Sequence, residues 1–163
     1  KTALSETLGL TVTLGPPEVI HNPSVTDVPD LFDADEPILS YFEFAFSEPG
    51  NLALLSKSAQ SKIVADYMMG GSGAPDEGPL SDLQLSSLGE AFNQMMNAAM
   101  LAISPQFKVP LEPNSPDVSA FVVDTLATKS PAYAQEAVYS VHFAYALEQG
   151  EVKDELDLVL ILP

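Results

Sequence analysis

Apolar residues in the middle of the chain recur with a helical period. Leu85, Leu88, Phe92, Met96, Ala99 and Ile103 are separated by steps of three and four, which places them on one face of a helix. Ser86, Glu90, Asn93 and Asn97 recur at steps of four, three and four and make a polar stripe on roughly the opposite side. Ser81 followed by Gln84 is a capping-box start, and Leu80 with Leu85 can close a hydrophobic staple across the first turn. Pro105 disfavours helical backbone at Ser104, so the helix is predicted to stop there.

Elsewhere the period alternates between helix and strand. Lys1 to Leu8 reads as the tail of a helix, and Leu10 to Leu14 as a strand ended by Pro16-Pro17. Residues 22–37 are acidic and proline-marked, hence a loop. Ile38 to Ser47 is a strand with Phe42, Phe44 and Phe46 on one face and Tyr41, Glu43 and Ala45 on the other. A turn at residues 48–51 leads to a short buried strand at Leu52–Leu55 and a helix over Ser56–Met69, with Ala59, Ile63 and Tyr67 inward. After the central helix, strands are predicted at Phe107–Leu111, Val118–Leu126 and Ala137–Leu147, the last with Tyr139, Val141, Phe143, Tyr145 and Leu147 on one face. A turn at 149–151 precedes a final strand at Glu155–Leu162.

The two halves repeat. Thr2-Ala3-Leu4-Ser5 set over Leu101-Ala102-Ile103-Ser104 brings Pro17-Glu18-Val19 over Pro116-Asp117-Val118 without a gap. The Tyr41–Ser47 strand and its turn then correspond to Tyr139–Glu148 and its turn. Two copies make a duplication rather than a solenoid. The expectation is one α/β domain over residues 1–163, built as a pseudo-twofold of a first half (about 1–73) and a second half (80–163) joined by a linker at 74–79. Its sheet should be mainly antiparallel, with helices packed on it. The chain opens in mid-helix without a Met and reads as an excised fragment.

Composition narrows the function classes. The hydrophobic fraction of 46% and mean hydropathy of +0.14 mark a globular chain, and no apolar run is long enough to span a bilayer. With no cysteine, disulfides and thiolate chemistry are excluded. Twenty-three acids stand against six lysines and no arginine, for a formal net charge of −17. Such a chain repels nucleic acid and anionic lipid, so neither nucleic-acid binding nor membrane insertion is expected. It also lacks the arginines that usually clamp transferring phosphoryl groups, so any phosphate it handles must be neutralised by the partner.

The stripe has a wider frame: Ser86, three residues, Glu90, two residues, Asn93, twenty-two residues, Pro116. This pattern resembles the signature of the CheC/CheX/FliY family, phosphatases of the phosphorylated chemotaxis response regulator CheY, and all four positions match. The resemblance covers essentially the whole chain and implies the same internally duplicated α/β fold. It implies a catalytic pair, Glu90 and Asn93, with Ser86 and Pro116 supporting the motif. Asn93 would hold a water in line with phosphorus, and Glu90 would pair with a lysine of the partner. No cofactor of the domain's own is implied, since magnesium is carried by CheY. The implied location is the cytoplasmic face of the flagellar basal body, with FliM, FliN-like proteins and FliG as further partners. The corresponding first-half glutamate and asparagine fall upstream of Lys1, and Glu6 does not substitute because Gly9 follows where Asn is required.

Each candidate also has a plain reading. A polar stripe is usually a solvated helix face. Ser86 has no nearby histidine to activate it as a nucleophile, and Pro116 can simply turn the chain. His21 and His142 lack a partner cluster for metal binding, and the acidic run Asp33, Asp35, Glu36 lacks the glycine and terminal glutamate of a calcium loop. Gly70-Gly71-Ser72-Gly73 reads as a helix C-cap. By resemblance to FliM, which shares the fold but lacks the Glu and Asn pair, the same loop is a candidate contact for FliG. A non-catalytic FliM-like rotor domain is therefore the alternative function.

Overall fold

Two helix–strand–strand passages and two long hairpins account for most of the fold. The computed structural model describes residues 2–28, 37–45, 50–108, 112–114, 116–121, 123–135, 137–150 and 152–162. The first passage is α1 (Thr2–Leu8), β1 (Thr11–Leu14) and β2 (Glu18–Asn22), then a 3-10 turn at Val25–Asp27. The first hairpin is β3 (Pro37–Ala45) and β4 (Gly50–Lys57), followed by α2 (Ser58–Met68). The second passage is α3 (Asp82–Phe107), β5 (Glu112–Pro113) and β6 (Asp117–Ala120). Short helices α4 (Val123–Lys129) and α5 (Ala132–Gln135) lead to the second hairpin, β7 (Val138–Gln149) and β8 (Val152–Leu162).

All strands join one antiparallel sheet in the order β1-β7-β8-β4-β3-β5, with β2 also on β7 and β6 also on β3. The pairing has a twofold pattern. Glu18 faces His142 as Asp117 faces Tyr41, and Leu39 faces Leu55 as Ser140 faces Ile161. The central β4·β8 ladder is its own image: Ala53 opposite Ile161 maps onto Val159 opposite Leu55, with Leu54 and Leu160 at the pivot. The register makes one correction to the repeat. Tyr41 corresponds to His142, not to Tyr139, and Phe42 corresponds to Phe143. The hairpins match when counted from the ladders with β2, β6 and each other rather than from their turns, because the second hairpin is the longer of the two.

Both faces of the sheet are covered. On one, Phe42, Leu52, Leu54, Tyr145, Leu156 and Leu158 pack under α1, α2 and α3, which contribute Leu4, Val64, Leu88, Phe92 and Met96. On the other, Leu39, Tyr41, Leu55, Val159 and Ile161 pack against Val25, Leu126 of α4 and Tyr133 of α5. This double burial explains the continuous apolar runs Leu52–Leu55 in β4 and Leu158–Leu162 in β8.

Several boundaries differ from the expectation. The helix begins at the Ser81 capping box but continues past Pro105 to Phe107, ending at Lys108 in left-handed backbone (φ 58°). Proline's fixed φ is itself helical, and the bond it forfeits lies only one turn from the helix end. Phe107 is therefore helical, residues 109–111 lie outside the described residues, and the strand is the short β5. The strand predicted over Val118–Leu126 ends at Ala120, and Leu126 belongs to α4. Ala59 is exposed, and Ser61, Val64 and Ala65 bury instead. Ala99 is also exposed, because this part of α3 borders an open apolar groove of about 840 Å3 with Met96, Met100, Leu54 and Leu160 in its walls. Phe46 and the 48–49 turn residues lie outside the described residues.

Candidate functional site: a pocket on the central helix

The motif residues sit on the first half of α3, whose start is fixed by reciprocal bonds. Gln84 N–H donates to Ser81 Oγ (3.3 Å) and Ser81 N–H donates to Gln84 Oε1 (2.8 Å). Leu88 and Phe92 are fully buried and hold the opposite face of this segment on the core. Gly89, buried, lets β6 come close: a Cβ there would lie 3.1 Å from Val118 Cγ2 and 3.9 Å from Pro116 Cγ. Between α3 and the start of β6 lies a pocket of about 440 Å3. Ser86, Glu90, Asn93 and Pro116 all line it. Thus the residues of the family pattern, three on a helix and one separated from Asn93 by twenty-two residues, meet at one concavity. Asp82, Leu85, Gly89 and Val118 complete the lining.

Ser86 and Glu90 are exposed, and Asn93 is half-buried. Gln94 Nε2 donates to Glu90 Oε1 at 2.6 Å, and the Thr7 hydroxyl of α1 donates to Gln94 Oε1. Asn97 Nδ2 donates to both the backbone oxygen (2.9 Å) and Oδ1 (3.1 Å) of Asn93. Asn93 Nδ2 donates to none of the described residues, which leaves an amide donor for a ligand. Among the described residues the titratable side chains in the lining, Asp82 and Glu90, are both acids, and no lysine contributes. The site can therefore position and hydrogen-bond a small group and attract a cation, but it cannot neutralise a phosphoryl group alone.

The remaining candidates lie elsewhere. Gly70 and Gly73 adopt left-handed backbone (φ 84° and 83°), and the loop closes α2 as a Schellman cap, with Gly71 N–H on Asp66 O (2.9 Å) and Gly70 N–H on Tyr67 O (3.0 Å). Gly73 N–H donates to Asp66 Oδ2 at 2.8 Å, so the second half of the loop is tied to the same helix turn. Ser72 is exposed, and neither it nor Gly70, Gly71 or Gly73 lines the pocket. His21 packs edge-on to Tyr139, while His142 Nε2 meets Ser140 Oγ at 3.0 Å. Burial pushes the His142 imidazole below its usual pKa of 6.5, against opposing pulls from Glu18 and Asp157. Asp33, Asp35 and Glu36 lie outside the described residues.

The motif did not point to Gly89, Asp82, Val118 or Gln94. Gly89 alone left a signal, since glycine inside a strong helical period usually marks a close approach.

No family model matches the chain. Over 140 residues it is 29% identical to the flagellar motor switch phosphatase FliY of Bacillus subtilis strain 168; the match covers 83% of this chain and 36% of that protein, so the chain spans about a third of this relative. The crystal structure of Thermotoga maritima FliY superposes with a TM-score of 0.79 at 27% identity, covering 99% of this chain and 80% of that one. A chain of the FliG–FliM complex of H. pylori matches with a TM-score of 0.67 at 15% identity, covering 99% and 83%, a likeness of fold alone. The chain thus resembles FliY in sequence over most of its length and shares the FliY fold over nearly all of it.

Proposed function

We propose that this domain hydrolyses the aspartyl phosphate of the response regulator CheY at the flagellar motor switch. The observation that supports this reading best is the convergence of Ser86, Glu90, Asn93 and Pro116 on one pocket. Asn93 holds the attacking water through its amide. Water oxygen bonds to phosphorus, the bond from phosphorus to the regulator's aspartate breaks, and the carboxylate leaves as the water's proton passes to phosphate or solvent. Glu90 keeps Oε2 for a lysine of the regulator while Oε1 takes the Gln94 amide. The regulator brings the magnesium ion and lysine that neutralise the phosphoryl oxygens, in keeping with a lining whose charged side chains are both acids. Such catalysis needs mainly positioning from the phosphatase.

The domain acts on the cytoplasmic face of the flagellar basal body beside FliM and FliN-like proteins. Its glycine loop at Gly70, Gly71, Ser72 and Gly73 is the candidate contact for FliG. The fold shared with FliM keeps a non-catalytic rotor role as the second reading. The test is decay of phosphorylated CheY with and without the domain. Acceleration that Asn93→Ala reduces by about 10²-fold is the expected result, the scale of a misplaced reacting group. Decay unchanged by the wild-type domain would leave the rotor reading.

A further inference from the structure

Asn93 can present either its oxygen or its nitrogen to the pocket, and the residue one turn further along α3 decides which. The backbone oxygen of Asn93 can only accept a hydrogen bond. Asn97 approaches it at 2.9 Å, so the Asn97 side chain must offer its NH2 group on that side. The same NH2 lies 3.1 Å from the Asn93 side-chain oxygen, so this oxygen is held toward residue 97 and the Asn93 nitrogen is directed away from it. Glu90 is treated alike. Its carboxylate accepts from Gln94 Nε2, and the orientation of the Gln94 amide is set in turn by the Thr7 hydroxyl on its oxygen. Each of the two motif residues is thus held by an amide four positions later, on the helix face where such pairs meet.

We propose that Asn97 is a positioning residue: it fixes the rotamer and the amide orientation of Asn93 so that Nδ2 faces the incoming water and phosphoryl group. This rests on the phosphatase reading above. Neither Asn97 nor Gln94 lines the pocket, so each acts through the motif residue it holds. Their part is to remove the cost of orienting Asn93 and Glu90 when the partner docks, which is how a supporting shell contributes to catalysis.

The experiment compares Asn97→Ala with Asn97→Asp in the turnover of CheY phosphorylated with acetyl phosphate, and follows the Asn93 side-chain NH2 resonances of the free domain. Alanine leaves Asn93 unheld, and kcat is expected to fall about 2–5-fold, the scale of one lost neutral hydrogen bond. Aspartate offers only acceptors, so Asn93 must turn its nitrogen toward residue 97 and its oxygen to the pocket. For that variant kcat is expected to fall about 10-fold or more, with KM and melting temperature near wild type and a displaced Asn93 NH2 resonance. The order wild type, alanine, aspartate is the signature, since a surface role would not make an isosteric acid worse than a truncation. Equal kcat in all three, or losses that follow the melting temperature or appear in KM alone, overturn the assignment of Asn97. If they do so while Asn93→Ala is inactive, the phosphatase reading stands without this part. Full activity in Asn93→Ala overturns both.

Discussion

Gly70 and Gly73 share nearly the same left-handed backbone, yet alanine should affect them differently. At Gly70 a Cβ would meet nothing within 4 Å. Gly70→Ala therefore costs only the left-handed strain of an L-residue, about 1–2 kcal/mol. At Gly73 the Cβ would lie 2.5 Å from the Tyr67 hydroxyl and 2.6 Å from Cζ of that ring. The ring cannot easily yield. Tyr67 is 6% exposed, and its hydroxyl donates to Asp154 Oδ2 on β8 at 2.9 Å. Relieving the overlap breaks this bond to a carboxylate, worth about 1.5–3 kcal/mol. Gly73→Ala should thus destabilise by about 3–5 kcal/mol, against about 1–2 for Gly70→Ala. In urea titrations the midpoints should fall in that order with unchanged slope. Tyr67→Phe supplies the cycle: once the anchor is gone the ring can move, and the penalty of Gly73→Ala should shrink by about 1 kcal/mol or more. Equal losses at the two glycines, or an undiminished penalty in the Tyr67→Phe background, would refute this account of the loop.

Phe92→Ala, at a fully buried position, should cost about 3–5 kcal/mol by chemical denaturation. Gly89→Val should push α3 away from Pro116 and Val118 and abolish turnover of phosphorylated CheY, with circular dichroism still showing a folded domain. Glu90→Ala should weaken binding of the phosphorylated regulator and lessen its salt dependence while changing stability by only about 0.5 kcal/mol, as read by titration at two ionic strengths and a melting curve. Because burial depresses the His142 pKa, the unfolded chain takes up the proton first. The stability contributed by the neutral ring is complete above pH about 6.5 and is lost as pH falls through the folded-state value. His142→Gln should therefore flatten the pH dependence of the urea midpoint just below 6.5.

Much of the candidate pocket was legible because most of its lining lies on one helix. The spacing of Leu88, Phe92 and Met96 set which side of α3 is buried, and that placed Glu90 and Asn93 outward. Pro116 was legible only through the family pattern, since its approach to Gly89 depends on a crossing between elements far apart in sequence. Ala99 misled because alanine fits a buried or an open helix face equally well. α4 and α5 were missed for a different reason. Helices of seven and four residues are too short to show a period, and Val123 and Thr125 favour strand by local propensity. The hydrogen bonds from Gln94 and Asn97 follow the i, i+4 rule, but the rule does not say which amide atom faces which neighbour.

The sheet is assembled by exchange. β1 and β2, from the start of the chain, complete the edge of β7 near its end, while β5 and β6 complete the edge of β3. Apart from the two hairpins, every ladder joins one half of the chain to the other. The arrangement is that of a strand-swapped dimer fused into one polypeptide. A half on its own would expose an uncovered strand edge along β3 or β7, the surface on which chains aggregate. The two halves are therefore obliged to fold together, through contacts that close long loops, and the domain should form slowly and melt as a single unit. The pocket inherits that property: its helix and Pro116 belong to the second half, but the strand on which β6 rests, β3, belongs to the first.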